Sequence, residues 1–166
     1  MTGRLINFIR RDERGTATIE LALFAPILAA MTIGVVDMSN AFGRKLAIEQ
    51  AAQRAIEKVM QTTGIKSVAD TIVDEVADQA NIADADKASK IAVTYSLECD
   101  DEDPQTSSDA DTFDTYVCAE GTVHEARYIE VAIDDVYEPM FPLHFGAYDS
   151  EKGGYPVSAK AGMRTK

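Results

Sequence analysis

RRDERGTATIELALFAPILAAMTIGVV, residues 10–36, is the stretch whose reading decides the fold. A basic, polar lead-in ends at Gly15, a single acid stands at Glu20, and Leu21 to Val36 carries no charge. That uncharged run alone falls just short of the roughly 17 to 25 residues a bilayer requires. Counted from Thr16 to Val36 the segment has 21 residues, about 31 Å of helix, and reaches across. Arg4, Arg10, Arg11 and Arg14 precede it and Asp37 follows, so the positive-inside bias places the N-terminus in the cytoplasm and everything past Asp37 outside.

A carboxylate at the edge of a membrane helix is costly and by default calls for a cationic partner. Glu20 sits one turn inside the cytoplasmic end, so on position alone two readings stand: it reaches the headgroups, or it meets a cation. Its spacing separates them. Gly15 followed by Thr16, an acid at the fifth position after the glycine and an apolar run directly behind resembles the processing signal of type IV prepilins. RGTATIELALFAPIL, residues 14–28, also resembles the opening of TadE-like proteins of the Tad (Flp) pilus system, with Gly15, Glu20 and Pro26 at matching places. AIEQAAQRAIEK, residues 47–58, is similar to the alanine-rich segment that follows in that family.

The resemblance implies a chain cut between Gly15 and Thr16 by a prepilin peptidase, which leaves a new amine on Thr16 for Glu20 of a neighbouring subunit to meet. It implies as partners the inner membrane, that peptidase, other pilin or pseudopilin subunits and the pilus assembly machinery. Leu21 stands where many Tad pilins carry an aromatic, and with the chain's length this points to a minor pilin or pseudopilin that helps to start or assemble a filament. Pro26 inside the apolar run removes one helical hydrogen bond and is expected to bend the helix, and Gly34 adds a soft point. The competing reading is a secretory signal peptide through Ala41, cut before Phe42; its apolar core would be longer than typical, and the glycine-to-acid spacing would go unexplained.

The 166 residues suit one domain plus an anchor, giving a leader over 1–15, a membrane helix over 16–37 and an extracytoplasmic domain over 38–166. The net charge of -12 is uneven: four Arg against Asp12 and Glu13 leave +2 on the first 15 residues and -14 on the rest. Nucleic acid, whose phosphates demand a basic face, is excluded as a partner.

Beyond the membrane, Phe42, Leu46, Ala52, Ala55, Ile56, Val59 and Met60 recur at spacings of three and four, which predicts that the helix continues to near Gly64 with this stripe packed on the domain. Ser67 with Asp70 three later opens a second helix, with Val68, Ile72, Val76 and Ala80 on one face. A short polar linker follows over 83–90. Alternation of period two then predicts strands over 91–98 and 128–136, with a short one over 115–119 between them and a last one over 155–163. Close succession suggests an antiparallel meander, from which Pro139 and Pro142 must lie outside.

Cys99 and Cys118, the only two cysteines, bracket an acidic loop rich in Ser and Thr. In an oxidising exterior this predicts a disulfide, with two free thiols as the alternative. The loop's aspartates are oxygen donors of the kind calcium takes, but their spacing does not match an EF-hand, so a solvated loop, or one that contacts other subunits or a surface, is the expectation. His124 and His144 lie in no nucleophile–base arrangement, and no phosphate-binding glycine loop or ligand cluster is present. The sequence therefore reads as a non-enzymatic, cofactor-free α+β protein of pilin-like form: a long N-terminal membrane helix continuing into a soluble domain with a second helix and a small antiparallel sheet. A membrane-anchored or secreted envelope binding domain without a pilus role is the alternative.

Overall fold

The computed structural model describes residues 14–61, 68–100, 103–122, 124–142 and 146–165. Most of the leader, the capping Ser67, the loop residue Asp101 and His144 lie outside them. One 48-residue helix, α1 (Arg14–Gln61), runs without interruption through Pro26, a length of about 72 Å. In its first half the side chains from Ala17 to Ala29 are all exposed, and no residue of the helix's most apolar window is buried among the described residues. Its second half is the backbone of a two-layer domain.

The second helix, α2 (Val68–Ala80), buries Ile72, Val76 and Ala80 against α1 and the sheet, as its spacing predicts, and Ala77 with them, while the Val68 side chain lies outside what the structure describes. It ends at Asn81, which adopts the left-handed conformation at φ 52°. The Ile82 amide returns to the Ala77 carbonyl at 2.9 Å, the Asn81 amide to Asp78, and Ile82 is buried. This is a Schellman closure with its apolar contact. The expected linker is more ordered than its polarity suggests: a 3₁₀ turn, Asp84–Asp86, leads into a one-turn helix, α3 (Lys87–Lys90).

Four strands follow, β1 (Ile91–Cys99), β2 (Gln105–Ser107), β3 (Glu125–Tyr137) and β4 (Tyr155–Arg164), all paired antiparallel. Three lie where alternation puts them, β3 beginning three residues earlier than expected. The strand expected over 115–119 does not form. The short strand is β2, ten residues earlier, followed by the helical turn α4 (Ala110–Phe113). The sheet order is β2-β1-β3-β4, so the expected meander is also corrected: β2 folds back on the outer edge of β1, and β3 takes the inner one. The reason lies in Phe113. It is buried against Tyr95, with ring centroids 5.5 Å apart, and this apolar anchor draws the segment onto the core as a turn rather than a strand.

One sheet face is the core. Val93 pairs with Val131, Ile91 with Ile133, and Ile133 in turn with Ala159, so these inward rows stack beneath the helices. The other face carries Glu98, Glu130, Asp134 and Lys160 toward water. On the helix side α1 presents Ile48, Ala51, Ala52, Ala55 and Ile56, all buried. Four of the six core residues from Ala41 to Ile56 are alanine, which lets helix and sheet approach closely.

The stripe expected on α1 is therefore half right. Ala52, Ala55 and Ile56 pack inward and Val59 is partly buried, but Phe42, Leu46 and Met60 are exposed. The sheet sits against α1 on the side of Ile48, and 3.6-residue periodicity rotates those three away from it.

Candidate functional site: the apolar helix and the collar at its exit

The α1 segment from Ala17 to Val36 offers an apolar surface that packs on no other element among the described residues. A shallow trough runs along Pro26, Ile27, Ala30, Met31, Gly34 and Val35. Thr32 returns its hydroxyl to the Leu28 carbonyl at 2.8 Å, so it adds no free polar group to this face. Glu20 projects from the first turns, exposed, without an ion pair or hydrogen bond to any described residue. Gly15 and Thr16 lie in the first turn of the same helix, five and four residues before it. Of the residues singled out in the sequence, Gly15, Thr16, Glu20 and Pro26 are thus strung along one helix and do not converge.

What does converge is a collar where the apolar run ends. Asp37 is only 2% exposed. Its carboxylate accepts hydrogen bonds from the Met140 and Phe141 amides, at 2.9 and 3.3 Å, and holds the loop after β3 against α1. One turn later the Asn40 side chain lies 3.6 Å from the Met140 sulfur. Two turns on, Arg44 reaches Asp135, 2.5 Å at its nearest nitrogen, and donates also to the Ala80 carbonyl at the end of α2. Lys90 approaches the second Asp135 oxygen at 2.9 Å. One buried carboxylate on β3 thereby ties the sheet to α1 and α3, and Arg44 extends the tie to α2.

Burial pushes the Asp135 carboxyl up, but the hydrogen bonds from Lys90 and Arg44 outweigh it and hold the group below the ordinary carboxylate range. The same contact with Asp135 raises the Lys90 ammonium. Sequence reasoning missed both acids. Asp135 was within reach, because the alternation of Ile129, Val131 and Ile133 continued by two residues puts it inward. Asp37 carried no such signal, since the first acid after an apolar run is ordinarily a solvated flank.

At the opposite end of β3, Cys99 and Cys118 form the predicted disulfide, with Cα atoms 5.7 Å apart. The acidic segment it closes is anchored rather than fully solvated. Phe113 sits in the core, Tyr116 packs edge-on to it at 5.8 Å, and the Arg127 guanidinium lies 5.1 Å over its ring. Asp109 caps α4 by accepting from the Thr112 amide at 2.9 Å, which with the Thr112 hydroxyl lowers its pKa. Asp100 accepts from the His124 amide at 2.9 Å, and the exposed imidazole stands 3.2 Å away. Among the described residues no group of three or more His, Cys, Asp or Glu is placed to hold a metal ion.

These features define an α+β protein built on one long helix, half of it apolar enough and long enough to cross a membrane and half of it the core of a disulfide-closed domain. Residues 15–56 match the family model of TadE-like proteins, the family that the sequence resembles. The match starts at Gly15 and ends on Ile56, in the buried face of α1. No curated protein and no solved structure matches the chain at a significant level.

Proposed function

We propose that this protein is a structural subunit, a minor pilin or pseudopilin, of a Tad-type pilus, and that it acts by assembling with other subunits rather than by catalysis. In this reading the chain is held in the inner membrane by residues 16–37, its basic leader is cytoplasmic, and its domain lies outside. Prepilin peptidase cuts after Gly15, and the new Thr16 amine of one subunit meets Glu20 of the next when their helices bundle. The observation that carries the proposal is the TadE-like match on a helix whose apolar half is unburied among the described residues of its own chain. An acid in such a bundle is tolerable only when a charge pairs with it, and Glu20 has no such charge among the described residues of its own chain.

The test is the N-terminal residue of the mature protein in membranes of its native host, with and without active prepilin peptidase. The expected result is Thr16, dependent on the peptidase. Met1 with an intact leader would leave a membrane-anchored domain without pilin processing, and Phe42 in a membrane-free fraction would make it a secreted domain. The variant Glu20→Ala is expected to be cleaved normally and to fail in co-assembly; co-assembly at the wild-type level would refute the pairing.

A further inference from the structure

Segment 139–142 sits at the level where α1 leaves its apolar run, and after the exposed Glu138 its composition is unlike that of the acidic domain it belongs to. Met140 is 71% exposed and Phe141 36%. Pro139 and Pro142 flank them. Proline has no amide hydrogen, so the tetrapeptide Pro139–Pro142 owns only two backbone donors, and both are given to the buried Asp37 carboxylate. The segment therefore offers apolar side chains outward and has no unpaired backbone N–H. A non-helical backbone at the edge of an apolar medium has to leave no donor unpaired, and its carbonyls turn to the water of the interfacial region.

Its height is set by α1. Side chains on a helix lean toward its N-terminus, so the Asp37 carboxylate, and the loop it grips, lie level with or below the Asp37 Cα, on the side of Val36. Thr16 to Val36 fills the hydrocarbon thickness, and the loop is thus at the outer lipid–water boundary. Exposed Met38 and Phe42 continue the apolar surface of α1 beside it. By contrast the disulfide end of β3 is far off. The strand runs 13 residues from Glu125 to Tyr137, about 43 Å, and Val117 lies at its distant end, next to Tyr116, whose carbonyl accepts from Arg127 at 2.7 Å.

Resting on the membrane reading above, we infer that Pro139–Pro142 is a second membrane contact: Met140 and Phe141 dip into the interfacial region of the outer leaflet, and Asp37 is the clamp that aims them there. The occupant of this patch is the lipid surface, because the patch is continuous with the apolar helix and meets the bilayer wherever that helix spans it. The domain is then seated on the membrane by two contacts rather than tethered by one.

The chain has no tryptophan, so one substituted indole reports its own surroundings. Full-length Phe141→Trp, Met140→Trp, Leu28→Trp and Val117→Trp would each be reconstituted in phosphatidylcholine vesicles. The lipids would be brominated either near the headgroup end of the acyl chain or near its methyl end. Leu28→Trp, in the middle of the span, should be quenched by the deep bromines, Phe141→Trp and Met140→Trp by the shallow ones, and Val117→Trp by neither. Adding Asp37→Ala to Phe141→Trp should abolish most of its quenching and leave that of Leu28→Trp unchanged. Quenching of Leu28→Trp without quenching of either loop indole overturns the inference and leaves the spanning helix intact. A blue-shifted but unquenched loop indole also overturns it, because protein rather than lipid then covers the patch. No quenching at Leu28→Trp refutes the membrane reading and this inference with it.

Discussion

Replacing Asp135 by Asn removes the charge that joins β3 to α1 and α3 without changing the shape of the site. Losing one member of a fully buried ion pair costs about 3–5 kcal/mol, because the partner is left charged and dry. Here the Asp135 side chain is 4% exposed, but those of Arg44 and Lys90 are 24% and 33% exposed and regain some water. Arg44 keeps the Ala80 carbonyl, and Lys90 keeps Asp86 at 3.5 Å. The expected loss is therefore smaller, about 2–3 kcal/mol, and for a domain of this size a fall in Tm of roughly 8–12 °C.

The assay is thermal unfolding of the full chain in detergent micelles, followed by near-ultraviolet circular dichroism. Far-ultraviolet signal would be dominated by the apolar half of α1, which detergent keeps helical. The pH dependence supplies a second readout. A carboxyl held below its unfolded pKa stabilises the fold above that value, and the contribution is lost as pH falls through the folded pKa. Wild-type stability should thus decline below about pH 4, and Asp135→Asn should flatten that limb. Lys90 has the opposite sign: its raised pKa contributes fully below about pH 10.5 and is lost as pH rises past it. A variant melting within about 2 °C of wild type, with an unchanged acid limb, would refute the claim that this carboxylate ties the layers together.

Opening the disulfide with Cys99→Ser and Cys118→Ser should cost about 3 kcal/mol in the chain-entropy model. Hydrogen exchange should rise first at β2 and α4, and uniform loosening of the sheet would argue against a local role. Gly154→Ala should destabilise by about 2–3 kcal/mol, since a Cβ there would lie 2.4 Å from the Tyr137 carbonyl oxygen and 2.6 Å from a Val136 methyl. Gly43→Ala, in α1 with nothing within 4 Å of the added carbon, should instead stabilise by up to about 1 kcal/mol. Urea midpoints of the two variants moving in the same direction would refute the pair.

Much of this protein was legible in its sequence because the signals are local. The charge-free run after Glu20 specifies a helix long and apolar enough to cross a bilayer. Period-two alternation placed β1, β3 and β4 to within a few residues, and the lone pair of cysteines around one loop named its own disulfide. Each of these depends on residues near one another in the chain.

What failed depended on which surfaces meet. Alternation tells which face of a strand is buried but not which neighbour it takes. Only the seat of Phe113 beside Tyr95 decided that the disulfide-closed segment would fold back on the outer edge of β1, leaving the inner edge for β3. The apolar stripe on α1 was ambiguous for the same reason. Ile48 and Phe42 are equally apolar, and the position of the sheet, set by every strand together, determined that Ile48 would be buried and Phe42 exposed. Asp37 and Asp135 are the clearest cases. A short-range pattern treats an acid as solvent-facing, whereas an acid brought to two amides from residues more than 100 positions away, or to Arg44 and Lys90 at once, is stable when buried. The sequence by itself determined the elements and the apolar helix; the tertiary structure decided the sheet order and the collar, because those rest on charges and side chains that meet only after the chain has folded.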